Sequence, residues 1–460
     1  MSRFLPRLFL ALCLLCGLNA AAAESPDIRA LQAAVQQSIE KAEPAIAGIS
    51  VSRSETPQSL QELASAPEYF GSGVVLDHRL VLTCYHVVRN ATGIAVRLPG
   101  REGRPTQLSH ASIYAADGRT DLAVLRIDNP RINTPTIQLG HGEELKKGSF
   151  VSVLTLPLGQ EQRPAQVSAA NGIVSSFQRR SPGDPQEDER LKTRKYFGML
   201  MQTDSRSIRA GSGGAWIDLD GKLVGLGTTQ AALNGDAGDY AVVLDSGIRR
   251  VIEVLRRGEE VEYGFLGVAR RGTSFDQRMS SVWLSDVTPN SPASRAGLNE
   301  GDVILRVDGQ PVNDFEEMVV RIGLSLAGRS VVLDVQRPHT ATVERVPVKL
   351  AKAYYREFGI ATNKLPAIHG LRVDYVSVLA NQGSVGYGQP LPDGVVVREV
   401  EKESPAEKAG LREYIDIVAT VNGVRVPEPA DFYREANKAL KAGQSVKLTL
   451  SNRKDVVTLP

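Results

Sequence analysis

One eight-residue phrase occurs twice in this chain, and it limits the fold more than any other feature. Ser291-Pro292-Ala293-Ser294-Arg295-Ala296-Gly297-Leu298 is echoed by Ser404-Pro405-Ala406-Glu407-Lys408-Ala409-Gly410-Leu411. The residues after each copy repeat as well. Gly301-Asp302-Val303-Ile304 leads to Val307-Asp308-Gly309, and Ile415-Asp416-Ile417-Val418 leads to Val421-Asn422-Gly423. Serine ahead of proline signals a helix start, with proline at the first helical position where its missing N–H costs nothing. Asp-Gly or Asn-Gly after a β-branched run signals a tight turn. A longer helical pattern comes next in both copies, near 314–322 and 430–439, and then a closing strand. The succession predicts two copies of one small α+β module of roughly 90 residues, placed at 262–352 and 366–460.

The chain ahead of the repeat has a different texture. Short apolar runs such as Ile46-Ala47-Gly48-Ile49-Ser50-Val51, Gly73-Val74-Val75-Leu76, Leu80-Val81-Leu82 and Leu122 to Ile127 are separated by turn residues, without alternating helices. That pattern predicts a sandwich or barrel over 45–257 rather than a parallel α/β sheet. Helical spacing marks two exceptions: an arm within 24–44, and Ser246 to Arg257 with Gly258 as its stop. Gln178 to Lys195, dense in charge and holding Pro182-Gly183-Asp184-Pro185, reads as a long surface loop between a strand and a later serine turn.

The first residues are an export signal by their pattern. Arg3 and Arg7 precede an apolar stretch from Leu8 to Leu18, and small residues follow up to Ala23, so 1–23 is expected to be cleaved and the mature chain to be periplasmic or secreted. A lipid anchor at Cys16 is the lesser alternative, because Cys13-Leu14-Leu15 is a poor acceptor context. No later segment is long enough to span a membrane. Once the signal leaves, Cys84 is the sole cysteine, so no internal disulfide can form. A net charge of +2 argues against a nucleic-acid binder, which usually shows a concentrated basic face. No metal or cofactor is expected.

Three contexts carry chemistry. His86 follows the run Leu82-Thr83-Cys84-Tyr85, Asp121 opens the run Leu122-Ala123-Val124-Leu125, and Ser212 stands between Gly211 and Gly213-Gly214. A serine between glycines presents a hydroxyl on a tight turn with backbone N–H groups beside it. The order His, Asp, Ser is that of the chymotrypsin type, and unrelated folds build the same triad in other orders. Ser212 is thus a candidate nucleophile, His86 its proton acceptor and Asp121 the group that orients His86. Cys84, two residues before His86, invites a thiol reading; the simpler expectation is a small buried residue at a strand end.

With these residues in place, the chain resembles the HtrA/Deg family of secreted serine proteases over nearly its whole mature length. The further signals are Gly172-Ile173-Val174-Ser175, Gln202-Thr203-Asp204 and both Ser-Pro-Ala…Ala-Gly-Leu repeats. The resemblance implies a mainly β protein: a trypsin-like double β-barrel followed by two α+β PDZ domains. It implies an ATP-independent endoprotease acting on unfolded or damaged polypeptides, and no Gly-x-x-x-x-Gly-Lys loop argues for nucleotide use. The oxyanion would be held by the N–H groups of Ala210 and Ser212. Thr228, Thr229 and Ala241 would line a pocket for small or medium apolar side chains. Phe265, Leu266, Gly267 and Val268 would capture C-terminal peptides in the first PDZ domain, with Gly370-Leu371-Arg372-Val373 a looser match in the second. Glu68-Tyr69-Phe70 matches the segment that family members use in trimers, which implies a trimer-based homo-oligomer. One departure stands out: Ala210-Gly211 replaces the usual Gly-Asn before the serine. It motivates the alternative of a weakened or inactive protease serving as a PDZ scaffold or chaperone.

Overall fold

A computed structural model describes residues 28–54, 57, 59–100, 106–130, 134–156, 166–178, 198–206, 211–228, 239–269, 282–338, 340, 342–355, 359–381, 389–453 and 455–460. The expected signal at 1–23 lies outside these residues, and so does nearly all of the expected loop from 178 to 195. No helix among the described residues is long and apolar enough to cross a membrane.

After a first helix α1 (Ile28–Ala42), six strands follow: β1 (Ile46–Ser52), β2 (Tyr69–Val75), β3 (Leu80–Cys84), β4 (Gly93–Leu98), β5 (Gln107–Asp117) and β6 (Leu122–Ile127). Two short helices interrupt them, α2 (Leu60–Ser65) after β1 and α3 (Tyr85–Val88) after β3. The strands run β5-β4-β1-β2-β3-β6 around a closed antiparallel barrel, because the long β5 bends to pair with β4 at one end and β6 at the other. β7 (Phe150–Thr155), β8 (Ser168–Gln178), β9 (Leu200–Thr203), β10 (Ala215–Ile217), β11 (Leu223–Gly227) and β12 (Asp239–Val243) close a second barrel in the order β10-β11-β12-β9-β8-β7. Each is apolar on its inner face. Val151, Val153, Val174, Met201, Trp216, Val224, Ala241 and Val243 fill the second barrel, and closure leaves no sheet edge to solvent. Helix α4 (Ser246–Arg256) then turns its Ile248, Val251, Ile252 and Leu255 inward. Asp245 caps it, accepting from Gly247 N and Ile248 N at 2.8 Å.

The two repeats fold alike, and the shared residues explain why. Ser291 Oγ accepts from Ser294 N, and Ser404 Oγ accepts from Glu407 N, each at 3.2 Å, so the Ser-Pro pairs are helix caps. Asp308 and Asn422 take the left-handed conformation (φ 48° and 50°) ahead of Gly309 and Gly423, forming the turns that the sequence signalled. Gly267 and Gly370 both have φ 85°, and a Cβ on either would collide with Ser291 or Ser404. Gly370 is therefore the counterpart of Gly267. The second module's equivalent of Phe265–Val268 is Ile368–Leu371, and the Gly370–Val373 placement expected from sequence lies too late.

Two contacts seen only in three dimensions join these parts. Ile360–Ala361, between the modules, adds a short strand to β5 opposite Ala116 and Ala115. Buried Lys352, at the end of the first module, places Nζ 3.1 Å from Glu260, 3.0 Å from Glu262 and 2.8 Å from Asp374. Burial alone would favour the neutral amine, but these carboxylates outweigh it and raise the Lys352 pKa.

In each module a buried Asp meets a half-buried Arg, Asp302–Arg337 at 2.6 Å and Asp416–Arg453 at 2.5 Å. Burial would raise the Asp416 pKa, yet hydrogen bonds from Arg412 and Asn452 and the Arg453 charge win, holding it below the usual 3.8. A lowered native pKa stabilises the fold above the unfolded value and is lost as pH falls through the native one. We expect Asp416→Ala to cost the second module about 2 kcal/mol at pH 7, because Arg412, Asn452 and Arg453 all lose a charged acceptor. The deficit relative to the parent protein should shrink as pH drops below 3.8, read from thermal melts across pH.

Candidate active site

The site is built at the seam between the barrels, from the ends of three segments. Asp121 closes the corner between β5 and β6 in the left-handed conformation (φ 55°), which non-glycine residues adopt only when neighbours hold them there. Its carbonyl accepts from Tyr85 N at 2.7 Å and its Oδ1 from His86 N at 2.8 Å. One residue thus satisfies the first two donors of α3, which would otherwise be unpaired at a helix start. The same carboxylate places Oδ2 2.5 Å from His86 Nδ1. On the other side of the ring, His86 Nε2 lies 2.9 Å from Ser212 Oγ. Asp121 and Ser212 are buried, and His86 is half-buried.

The serine turn is tied to both barrels by its backbone. Ser72 N, in β2, donates to the Ser212 carbonyl at 2.8 Å, and Gly213 N donates to the Gly227 carbonyl of β11 at 2.8 Å. Gly213 has φ 80°, and a Cβ there would collide with the Ser72 carbonyl and lie 2.5 Å from Thr83 Oγ1. Only glycine fits such a conformation and such an approach. Thr83 in turn donates to the Ser72 carbonyl at 2.8 Å, so the turn's support is itself fixed. With Nδ1–H directed at a carboxylate, Nε2 is left to accept the serine proton. This arrangement can generate a serine alkoxide-like nucleophile and return the proton to a leaving group.

Cys84 Sγ donates to the Gly227 carbonyl at 3.1 Å. Burial, reinforced by the Asp121 charge, pushes its thiol pKa well above the ordinary value. A thiol so held is neither a nucleophile nor a metal ligand, since both require the thiolate. This holds although Cys84, His86 and Asp121 bring donor atoms within 4.8 Å of one another.

The remaining expected residues are spread out. Ala210 and Thr229 lie outside the described residues. Thr228 is buried at the end of β11, its N–H on the Tyr240 carbonyl at 2.9 Å, and its Oγ1 has no hydrogen-bond partner among the described residues. Ala241 is wholly buried within the second barrel, packed with Met201 and Trp216 rather than facing open space. In the first module, Leu266 is core and Phe265 and Val268 are half-buried. The Leu266 and Gly267 carbonyls are turned inward to accept from Ala293 N and Thr288 N at 2.9 Å.

Sequence reading missed Arg53. Its Nη2 donates to the His86 and Val87 carbonyls at 2.6 and 3.2 Å, and its guanidinium lies 3.5 Å over the ring of half-exposed Tyr69. One arginine just past a strand carries no motif that could have revealed this.

Residues 71–226 match the trypsin-like peptidase domain, and residues 264–350 and 373–459 each match the PDZ domain. The chain is 29% identical to a probable periplasmic serine endoprotease DegP-like of Halomonas elongata, over 92% of this chain and 90% of that one. It is 28% identical to the periplasmic pH-dependent serine endoprotease DegQ of Escherichia coli, over 83% and 78%. Among solved structures, the HtrA-type protease AlgW with tripeptide is 21% identical, with a TM-score of 0.47 over 68% of this chain and 96% of that one. From its domain matches and full-length relatives, the chain belongs to the HtrA/Deg family of serine endopeptidases, a trypsin-like double barrel followed by two PDZ domains.

Proposed function

We propose that this protein is an exported, ATP-independent endoprotease that cleaves unfolded or damaged polypeptides with Ser212 as nucleophile. The observation that carries the proposal is the continuous contact from Asp121 through His86 to Ser212 Oγ. Ser212 Oγ attacks the peptide carbonyl while His86 Nε2 takes its proton, later delivered to the departing amine; Asp121 fixes the tautomer and offsets the imidazolium charge. The N–H groups of Ser212 and Ala210 are assigned to the oxyanion. The substrate side chain before the cut is assigned to the region of Thr228 and Thr229, with Ala241 behind it in the barrel core. Phe265–Val268 of the first PDZ domain are assigned to chain-end capture by strand addition. Periplasmic relatives and the signal-like residues 1–23 support export. Tyr69, 46% exposed in the Glu68-Tyr69-Phe70 segment, supports a trimer-based assembly.

Ser212→Ala should lower casein cleavage by about a million-fold, and Asp121→Asn by about ten-thousand-fold with Ser212 in place. Parent protein that cleaves no faster than Ser212→Ala, with or without an activating peptide, would overturn the protease reading in favour of a PDZ scaffold. A fluorophosphonate should label Ser212 and abolish turnover. Iodoacetamide should leave turnover intact, since Cys84 stays a buried thiol; loss of activity on alkylation would contradict that assignment.

A further inference from the structure

The corner that carries Asp121 is held by a residue from outside the barrel. Asp117, the last residue of β5, is buried, and its Oδ2 accepts three hydrogen bonds. They come from Thr120 N at 2.8 Å, Thr120 Oγ1 at 2.6 Å and the Tyr263 hydroxyl at 2.6 Å. Thr120 immediately precedes Asp121, so one carboxylate oxygen fixes the backbone leading into the left-handed residue that faces His86. The third donor, Tyr263, stands at the root of the first PDZ domain, 146 positions further along the chain.

The same corner is gripped a second time. Arg119 lays its guanidinium 3.5 Å over the Tyr355 ring and 5.7 Å from the centre of the Tyr263 ring. Tyr355 meets Tyr263 edge to face at 5.3 Å. Tyr355 lies just past Ala351–Lys352, the strand that closes the first PDZ domain, so both ends of that domain converge on residues 117–120. Burial raises the Asp117 pKa, against the opposing hydrogen bonds of Thr120 and Tyr263. Removing the Tyr263 donor therefore leaves a buried carboxylate short of one of the groups that stabilise it.

We propose that Tyr263 and Asp117 are positioning residues for the protease reaction: the Tyr263 hydroxyl fixes Asp117, and Asp117 fixes Thr120 and thereby the approach of Asp121 to His86. The inference rests on the reading of Asp121, His86 and Ser212 as a catalytic triad. A carboxylate that must meet both the His86 N–H and the His86 ring has little angular freedom, and small displacements of an orienting group are costly in rate. Tyr263→Phe is a sparing test, because phenylalanine keeps the ring beside Tyr355 and Arg119 and loses only the hydroxyl.

The experiment uses the full chain and two readouts, casein turnover and the rate of fluorophosphonate labelling at Ser212. In Tyr263→Phe, kcat and the labelling rate should both fall about tenfold while KM stays within about twofold, the signature of a loss felt in the transition state. Asp117→Leu should fall at least as far, and the double variant should be no slower than Asp117→Leu alone, since Tyr263 acts through Asp117. If Asp117→Leu does not fold, Thr120→Val replaces it, because it removes the other side-chain donor to the same oxygen. Labelling and kcat unchanged in a folded Tyr263→Phe, or losses that multiply in the double variant, would overturn the inference while leaving the triad reading intact. A folded parent protein that the probe does not label would instead remove the triad reading, and the inference with it.

Discussion

Two backbone hydrogen bonds support everything else at the catalytic seam: Ser72 N to the Ser212 carbonyl, and Gly213 N to that of Gly227. A turn that is neither helix nor strand has polar groups that regular structure does not satisfy, and buried ones must find partners. Here one strand of each barrel supplies them. The position of Ser212 is thus inherited from the way the barrels meet, and not from the turn alone. His86 and Asp121 come from the first barrel only, where a single carboxylate binds both the helix start and the imidazole. Rigid strands on both sides preorganise groups that would have to be ordered at a cost if they sat on free loops.

Much of this is legible in the sequence because it is locally encoded. Glycine at 213 is demanded by its own φ, the Ser-Pro caps by the helices they start, and Asp-Gly and Asn-Gly by the turns they make. The order of His86, Asp121 and Ser212 along the chain already points to the double barrel. Where sequence reading fails, the cause is distance along the chain. Arg53 under α3 and the strand at Ile360–Ala361 depend on partners that only the folded chain brings near. The second module's loop is misplaced by sequence for another reason. Its Ile368-His369-Gly370 shares only the glycine with Phe265-Leu266-Gly267, and glycine marks the backbone shape without fixing which neighbours surround it.

The PDZ domains are attached through charge as well as through apolar surface. Lys352 gathers Glu260, Glu262 and Asp374 from both sides of the joint, and Arg398 also reaches Asp374 and Glu260. Such a cluster is costly to form and more costly to leave half made, so it specifies one docking geometry more than it adds stability. Neutralising any one member leaves the others uncompensated in a poorly hydrated site. That selectivity suits a joint lying between the first PDZ domain, the second, and the corner behind Asp121.

The small strand at Ile360–Ala361 ties the first barrel to a distant part of the chain. Its neighbour Thr362 bonds the carbonyl of Tyr114, a residue 248 positions earlier. The barrel carrying the histidine and the aspartate therefore completes one flank of β5 with a segment that follows the whole first PDZ domain. A protease domain cut off before residue 360 would leave that flank of β5 uncovered, so the first barrel is finished only by chain that lies beyond the first PDZ domain.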